Sequence, residues 1–150
     1  RRQRQMCIRD RMQIDKLILS DLLLKTPVPP PESGGILGGH AGVITRYFAD
    51  EGSSHMPAHY RPCVGKLNCI IEQWKSEDVE FYGIYHSHYK GDRFLSLRDV
   101  QYIEKIMRSL PKAFDTLYFP IVLPQQEIIA YRADRMDKEI CIVCEEIEIK

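Results

Sequence analysis

The sequence predicts a mixed α and β fold (α/β), a mixed β-sheet with helices packed on it. Three observations lead there. Apolar residues recur at helical spacing in three stretches, short apolar or alternating runs lie between them, and clusters of Gly and Pro separate the two kinds of segment. A length of 150 residues with 44% hydrophobic content suits one domain, residues 1–150, with one buried core.

The elements follow in chain order. Met6, Ile8, Met12, Ile14, Leu17, Ile18 and Leu22 predict an amphipathic helix over 5–24, within an N-terminal segment 1–25 that precedes a core of 26–150. The Pro-rich run Thr26–Pro31 stops it, because Pro lacks an N–H and disfavours helix just before it. Four glycines in the six residues 34–39 let another backbone or a ligand come close. A strand resumes over 41–48, and a turn near 39–42 would make the two a hairpin. Residues 50–62 read as loop. Val64, Leu67, Ile70, Ile71 and Trp74 predict a helix over 63–75, and 79–88 a largely buried strand. Residues 89–95 form a loop. Ser96 starts a third helix, with Val100, Ile103, Ile106, Met107 and Leu110 on its apolar face, and Pro111 ends it. Strands over 114–123, 127–132 and 139–149 complete the order.

Charge excludes some partners. Lys+Arg and Asp+Glu both number 21, so the formal net charge is zero and electrostatic capture of nucleic acid is not expected. The basic start (Arg1, Arg2, Arg4, Arg9, Arg11) is answered by Asp10, Asp15 and Asp21, as on a solvated helix face. No apolar run approaches the roughly 20 residues that span a bilayer, so no membrane partner is expected. No signal peptide is seen before the first element. An odd number of cysteines, five, in a chain able to build a core suggests reduced thiols and a cytoplasmic location.

The chemistry is concentrated in His86-Ser87-His88 and, seven residues later, Ser96-Leu97-Arg98-Asp99. On a strand, alternate side chains share a face, so the two imidazoles point the same way. Two His and one carboxylate leave a tetrahedral metal with one open position for a water. Both pieces also have plain readings. The imidazoles could merely hydrogen-bond, and Ser-x-x-Asp is a capping-box pattern at a helix start. A cap is compatible with a metal site, since the first turn of a helix favours an ionised carboxylate. Glu32 lies 54 positions before His86, beyond any local spacing; it reads as a surface Glu unless the Gly-rich strand after it lines a cleft. His55, His59 and Cys63 recur every fourth residue, but Pro57 and Pro62 break the helix a second metal site would need. Cys141 and Cys144 fall on opposite faces of a strand and read as core cysteines; His40 reads as a turn residue.

Taken together, Glu32, Gly35-Ile36-Leu37-Gly38, His86, His88, Ser96 and Asp99 resemble the motif of the JAMM (MPN+ or JAB) zinc metalloproteases, over roughly residues 30–135. No signature position is missing, although the 89–95 loop lacks the Pro that commonly follows the second His in that family. The resemblance implies a JAB/MPN-like domain with a curved mixed sheet, of cytidine-deaminase-like architecture, closest in size to compact bacterial members. It implies that His86, His88 and Asp99 bind one Zn²⁺ and that Glu32 takes a proton from a water there and passes it to the leaving amine. Ser96 would donate to the oxyanion. The expected activity is cleavage of the isopeptide or peptide bond after the C-terminal tail of a ubiquitin-like protein, alongside conjugation-type enzymes of the same pathway. Action on a small sulfur-carrier protein, a metal-free scaffold, and a non-haem Fe(II) centre on the same ligands are the alternatives.

Overall fold

The computed structural model describes residues 11–50 and 60–150. Among them are three helices and nine strands: β1 (Met12–Ile14), α1 (Lys16–Lys25), β2 (Gly34–His40), β3 (Val43–Asp50), α2 (Val64–Ser76), β4 (Glu80–Ser87), α3 (Leu97–Ser109), β5 (Thr116–Tyr118), β6 (Ile121–Leu123), β7 (Glu127–Met136), β8 (Glu139–Glu145) and β9 (Ile147–Ile149). The strands form one mixed sheet, giving the mixed α/β architecture expected from the sequence.

Strands β2, β3 and β4 sit at its centre, β2 antiparallel to both neighbours, and the β2–β3 hairpin turns through Ala41 and Gly42 at positive φ. Strands β5 and β6 run in line, each parallel to β4 on one side and antiparallel to β7 on the other. The single strand expected over 114–123 is thus interrupted at Phe119-Pro120. Pro120 has no N–H to give a ladder, but its carbonyl accepts from the His86 N–H at 3.3 Å.

Two expectations are corrected. The helix predicted over 5–24 is a helix only from Lys16; its residues 5–10 lie outside the described residues. Met12 and Ile14 instead form a strand parallel to β3 and β9, with both side chains fully buried. Their i, i+2 spacing fits a strand as well as a helix, and the deciding partners are distant in sequence. Asp15 then caps α1, its carboxylate accepting from the Leu17 N–H at 2.8 Å. The run expected as one strand over 139–149 divides at Glu146. Its first part pairs with β7 and its second with β1, at opposite ends of the strand order. One intervening residue brings those ends together, so the sheet is strongly curled.

The alternation of the central strands sorts the core into two layers. Leu37, Tyr85, Met12, Ile14 and Val122 pack with Leu22 of α1. Ile36, Ile84, Leu117 and Phe119 pack with Leu67 and Trp74 of α2 and with Ile103 and Met107 of α3. Full burial of each such side chain is worth about 1.5–3 kcal/mol. It fixes α3 across the face of β4 that also carries His86 and His88.

Candidate metal centre

His86 and His88 stand at the C-terminal end of β4, on the α3 side of the sheet. Their ring planes cross at 72°, and the two Nε2 atoms lie 2.8 Å apart. Asp99 reaches them from the first turn of α3. One carboxylate oxygen is 3.3 Å from His86 Nε2, and the other is 3.1 Å from His88 Nε2. The capping box is also formed. Ser96 Oγ accepts from the Asp99 N–H at 3.1 Å, and Asp99 Oδ2 accepts from the Ser96 N–H at 2.8 Å. The metal and capping readings of this motif thus hold together: the cap fixes the rotamer that aims Asp99 at the histidines.

These three residues could hold a metal ion. Bonds of about 2.0–2.1 Å at tetrahedral angles place ligand atoms about 3.3 Å apart. The two Nε2 atoms lie 2.8 Å apart and each meets a different oxygen of Asp99, at 3.3 and 3.1 Å, so the three side chains converge at spacings of this order. The outer partner of His88 supports the fit. Its Nδ1 lies 3.1 Å from the Asp92 carbonyl, to which it can only donate, so neutral His88 presents a bare lone pair at Nε2. That lone pair faces a carboxylate and a second imidazole, an arrangement that calls for either a proton or a cation between them. The electrostatics agree. Burial works against ionisation of Asp99, but the facing histidines outweigh it and hold the carboxyl well below its usual range. Burial likewise disfavours protonated His88, and Asp99 overcomes it.

Glu32 arrives through the sheet. Gly34 is the register partner of His86, and the strands continue in step one residue further. The Ser87 N–H donates to the Ser33 carbonyl, and the Ser33 N–H donates to Ser87 Oγ, both at 2.8 Å. Ser87, fully buried, thus clamps the residue next to Glu32. Two steps before Gly34 on the same strand path, Glu32 falls on the face of His86 and His88. It is half-buried. Burial pushes its carboxyl up, while the two histidines pull it down, and the Tyr60 backbone N–H bonds to it. Tyr60 is itself anchored: its hydroxyl donates to Asp50 Oδ2 at 2.7 Å, and the Cys63 N–H donates to the same oxygen at 2.8 Å. Gly34 leaves room for the Tyr60 ring, since a Cβ there would lie 2.5 Å from it.

Glu32, His86 and Asp99 line one cleft of about 200 Å³. Ile84, Ile103 and Phe119 supply apolar walls, with Tyr60 and Tyr102 beside them and exposed Arg61 and Arg98. His88 and Ser96 are not among its walls. Ser96 is exposed at the helix start, where its oxygen accepts a hydrogen bond and its O–H hydrogen is left to donate elsewhere.

The fold is matched by a solved structure. A solution structure of the protein DSY2949 from Desulfitobacterium hafniense superposes with a TM-score of 0.62 at 17% identity, over 92% of each chain. A crystal structure of AF2198, a JAB1/MPN domain protein from Archaeoglobus fulgidus, matches with a TM-score of 0.45 at 18% identity, over 91% of this chain and 98% of that one. No family model and no curated protein matches the sequence.

Other sequence readings fare differently. Cys141 and Cys144 are exposed on β8 rather than in the core; on that strand it is Ile140 and Ile142 that pack against the core. His40 ends β2, exposed, with Nδ1 3.9 Å from Asp78. His55 and His59 lie outside the described residues, and Cys63 is exposed. Sequence pattern alone assigns no role to Ser87, Asp50 or Tyr60. Ser87 had a signal in its place between the two histidines, on the opposite face of the strand. Asp50 and Tyr60 had none, since their roles depend on tertiary contacts.

Proposed function

We propose that the protein is a zinc-dependent metallopeptidase. It hydrolyses the peptide or isopeptide bond after the C-terminal tail of a ubiquitin-like protein. The observation that carries this reading is the meeting of Glu32 with His86 and Asp99 in one cleft, across 54 positions of sequence. A structural histidine pair needs no such carboxylate; a hydrolytic centre does.

His86, His88 and Asp99 would hold the ion. A Zn²⁺ there would supply a Lewis acid for the scissile carbonyl and would lower the pKa of a water toward about 7. Glu32 accepts a proton from the attacking water and returns it to the leaving amine, a task suited to a half-buried carboxylate beside two histidines. Ser96 Oγ–H donates to the carbonyl oxygen as it gains charge. Tyr89 and Phe94 between β4 and α3, and Leu97 at the start of α3, present exposed apolar side chains, with Phe94 and Leu97 each 75% exposed. A flexible C-terminal tail is the part of a ubiquitin-like protein able to reach a recessed bond.

Two variants test this. Glu32→Gln is expected to retain one zinc per chain by metal analysis and to lose cleavage of a modifier–lysine conjugate. His88→Ala is expected to lose metal and cleavage together. Normal cleavage by Glu32→Gln would remove Glu32 from the chemistry, and a wild-type chain that binds no metal would leave only a scaffold.

A further inference from the structure

We propose that the cleft beside the metal group is the subsite for the residue on the leaving-amine side of the scissile bond, and that it selects an apolar side chain accompanied by a carboxylate. This rests on the hydrolytic reading above and names its substrate class.

The assignment of sides comes from which site residues the cleft contains. Glu32 lines it; Ser96 and His88 do not. In amide hydrolysis the water oxygen bonds to the acyl carbon as the C–N bond breaks. One water proton travels by way of Glu32 to the departing nitrogen, leaving a carboxylic acid and an amine. The nitrogen must therefore come to Glu32, and whatever is attached to it enters the space that Glu32 borders. The carbonyl oxygen turns toward Ser96, outside that space.

The cleft's size and lining then describe the occupant. Its volume of about 200 Å³ is below the about 300–1,000 Å³ typical of sites for drug-sized ligands. It takes one large side chain rather than a stretch of chain. Ile84, Ile103 and Phe119 offer that side chain an apolar wall. Two arginines line the same cleft from different elements, Arg61 from the segment before α2 and Arg98 from the first turn of α3. Among the described residues, the two carboxylates that line the cleft already have partners: Asp99 faces the histidines and Glu32 receives the Tyr60 N–H. The arginines are the groups left to meet an anion, and guanidinium–carboxylate pairs are among the stronger hydrogen-bonded contacts. The anion is either the free α-carboxylate of the same residue or an acidic side chain next to it.

The test uses acetyl-Gly-Gly-X peptides with X as Phe, Leu, Ala or Lys, each as the free acid and as the C-terminal amide, plus an X-Glu amide. Binding is read from NMR shifts of the Ile84 and Ile103 methyl groups in Glu32→Gln, and turnover from kcat/KM of the zinc-loaded wild type. Phe and Leu free acids are expected to shift those methyls and to be cleaved at least about tenfold better than their amides or than Ala. Recovery of that advantage by the X-Glu amide would identify an acidic side chain as the source of the anion. Arg61→Gln and Arg98→Gln, both at exposed positions, are expected to bring the acid-to-amide ratio toward one while zinc binding is kept. Methyl groups that do not shift, or equal treatment of acid and amide by the wild type, would overturn the proposal. Failure of zinc binding would instead overturn the hydrolytic reading, and the methyl shifts would still report on the cleft.

Discussion

Ser96 joins two requirements in one side chain. Its oxygen closes the cap on α3, and its hydrogen is the donor proposed for the oxyanion. Loss of an N-cap costs about 0.5–2 kcal/mol of stability. Loss of an oxyanion donor costs about two to three orders of magnitude in turnover. Ser96→Ala is therefore expected to lower the denaturation midpoint modestly and kcat severely, with KM little changed. A variant that loses stability but keeps its kcat would confine Ser96 to the cap. Single residues also mark where sequence reading stops. His86, His88 and Asp99 are legible because a strand repeat of two and a helix cap are local patterns. Glu32 has no such local signal and is picked out only by the family resemblance, because its position follows from the pairing of β2 with β4 and from the Ser33–Ser87 clamp.

At the scale of elements, α2, α3 and β4 could be read within a residue or two, since each has a full apolar face and a clear start or stop. The failures share a cause. Strands β1, β5, β6 and β9 are three residues long, too short for a period to declare itself, and they are defined by their neighbours. The closeness of those neighbours can be measured at Gly83 in β4. A Cβ there would lie 1.9 Å from the Tyr118 carbonyl oxygen of β5. Overpacking of this kind typically costs about 1–3 kcal/mol. Gly83→Ala is expected to lower the urea midpoint by a corresponding amount at an unchanged m-value. A midpoint equal to that of the wild type would mean that β5 yields freely.

Across the whole molecule, the tyrosines around Asp50, with Tyr85 buried and Tyr60 and Tyr102 partly so, make stability depend on pH at the alkaline end. Burial pushes the phenols of Tyr60, Tyr85 and Tyr102 well above their ordinary range, and the Asp50 carboxylate adds to the effect at all three. The folded state therefore keeps protons that the unfolded chain gives up near pH 10. Below that pH their contribution is intact. Above it, stability falls as the unfolded chain ionises, by about 1.4 kcal/mol per pH unit for each tyrosine so held. Urea titrations from about pH 8 to about pH 11 are expected to show this decline, and Tyr60→Phe to make it shallower. A stability that stays flat through this range would mean that the phenols ionise freely in the folded protein. The curl of the sheet has a consequence of another kind, in the order of synthesis. Strand β1 is the first of the described strands to be made, yet its two neighbours are β3 and β9, and β9 is the last. During translation one edge of β1 has no partner until residues 147–149 have been added, so fully buried Met12 and Ile14 have to wait for nearly the whole domain. Unpaired strand edges favour association between chains. The chain thus carries this unpaired edge until β9 is made, when the segment holding His86, His88 and Asp99 has already been synthesised.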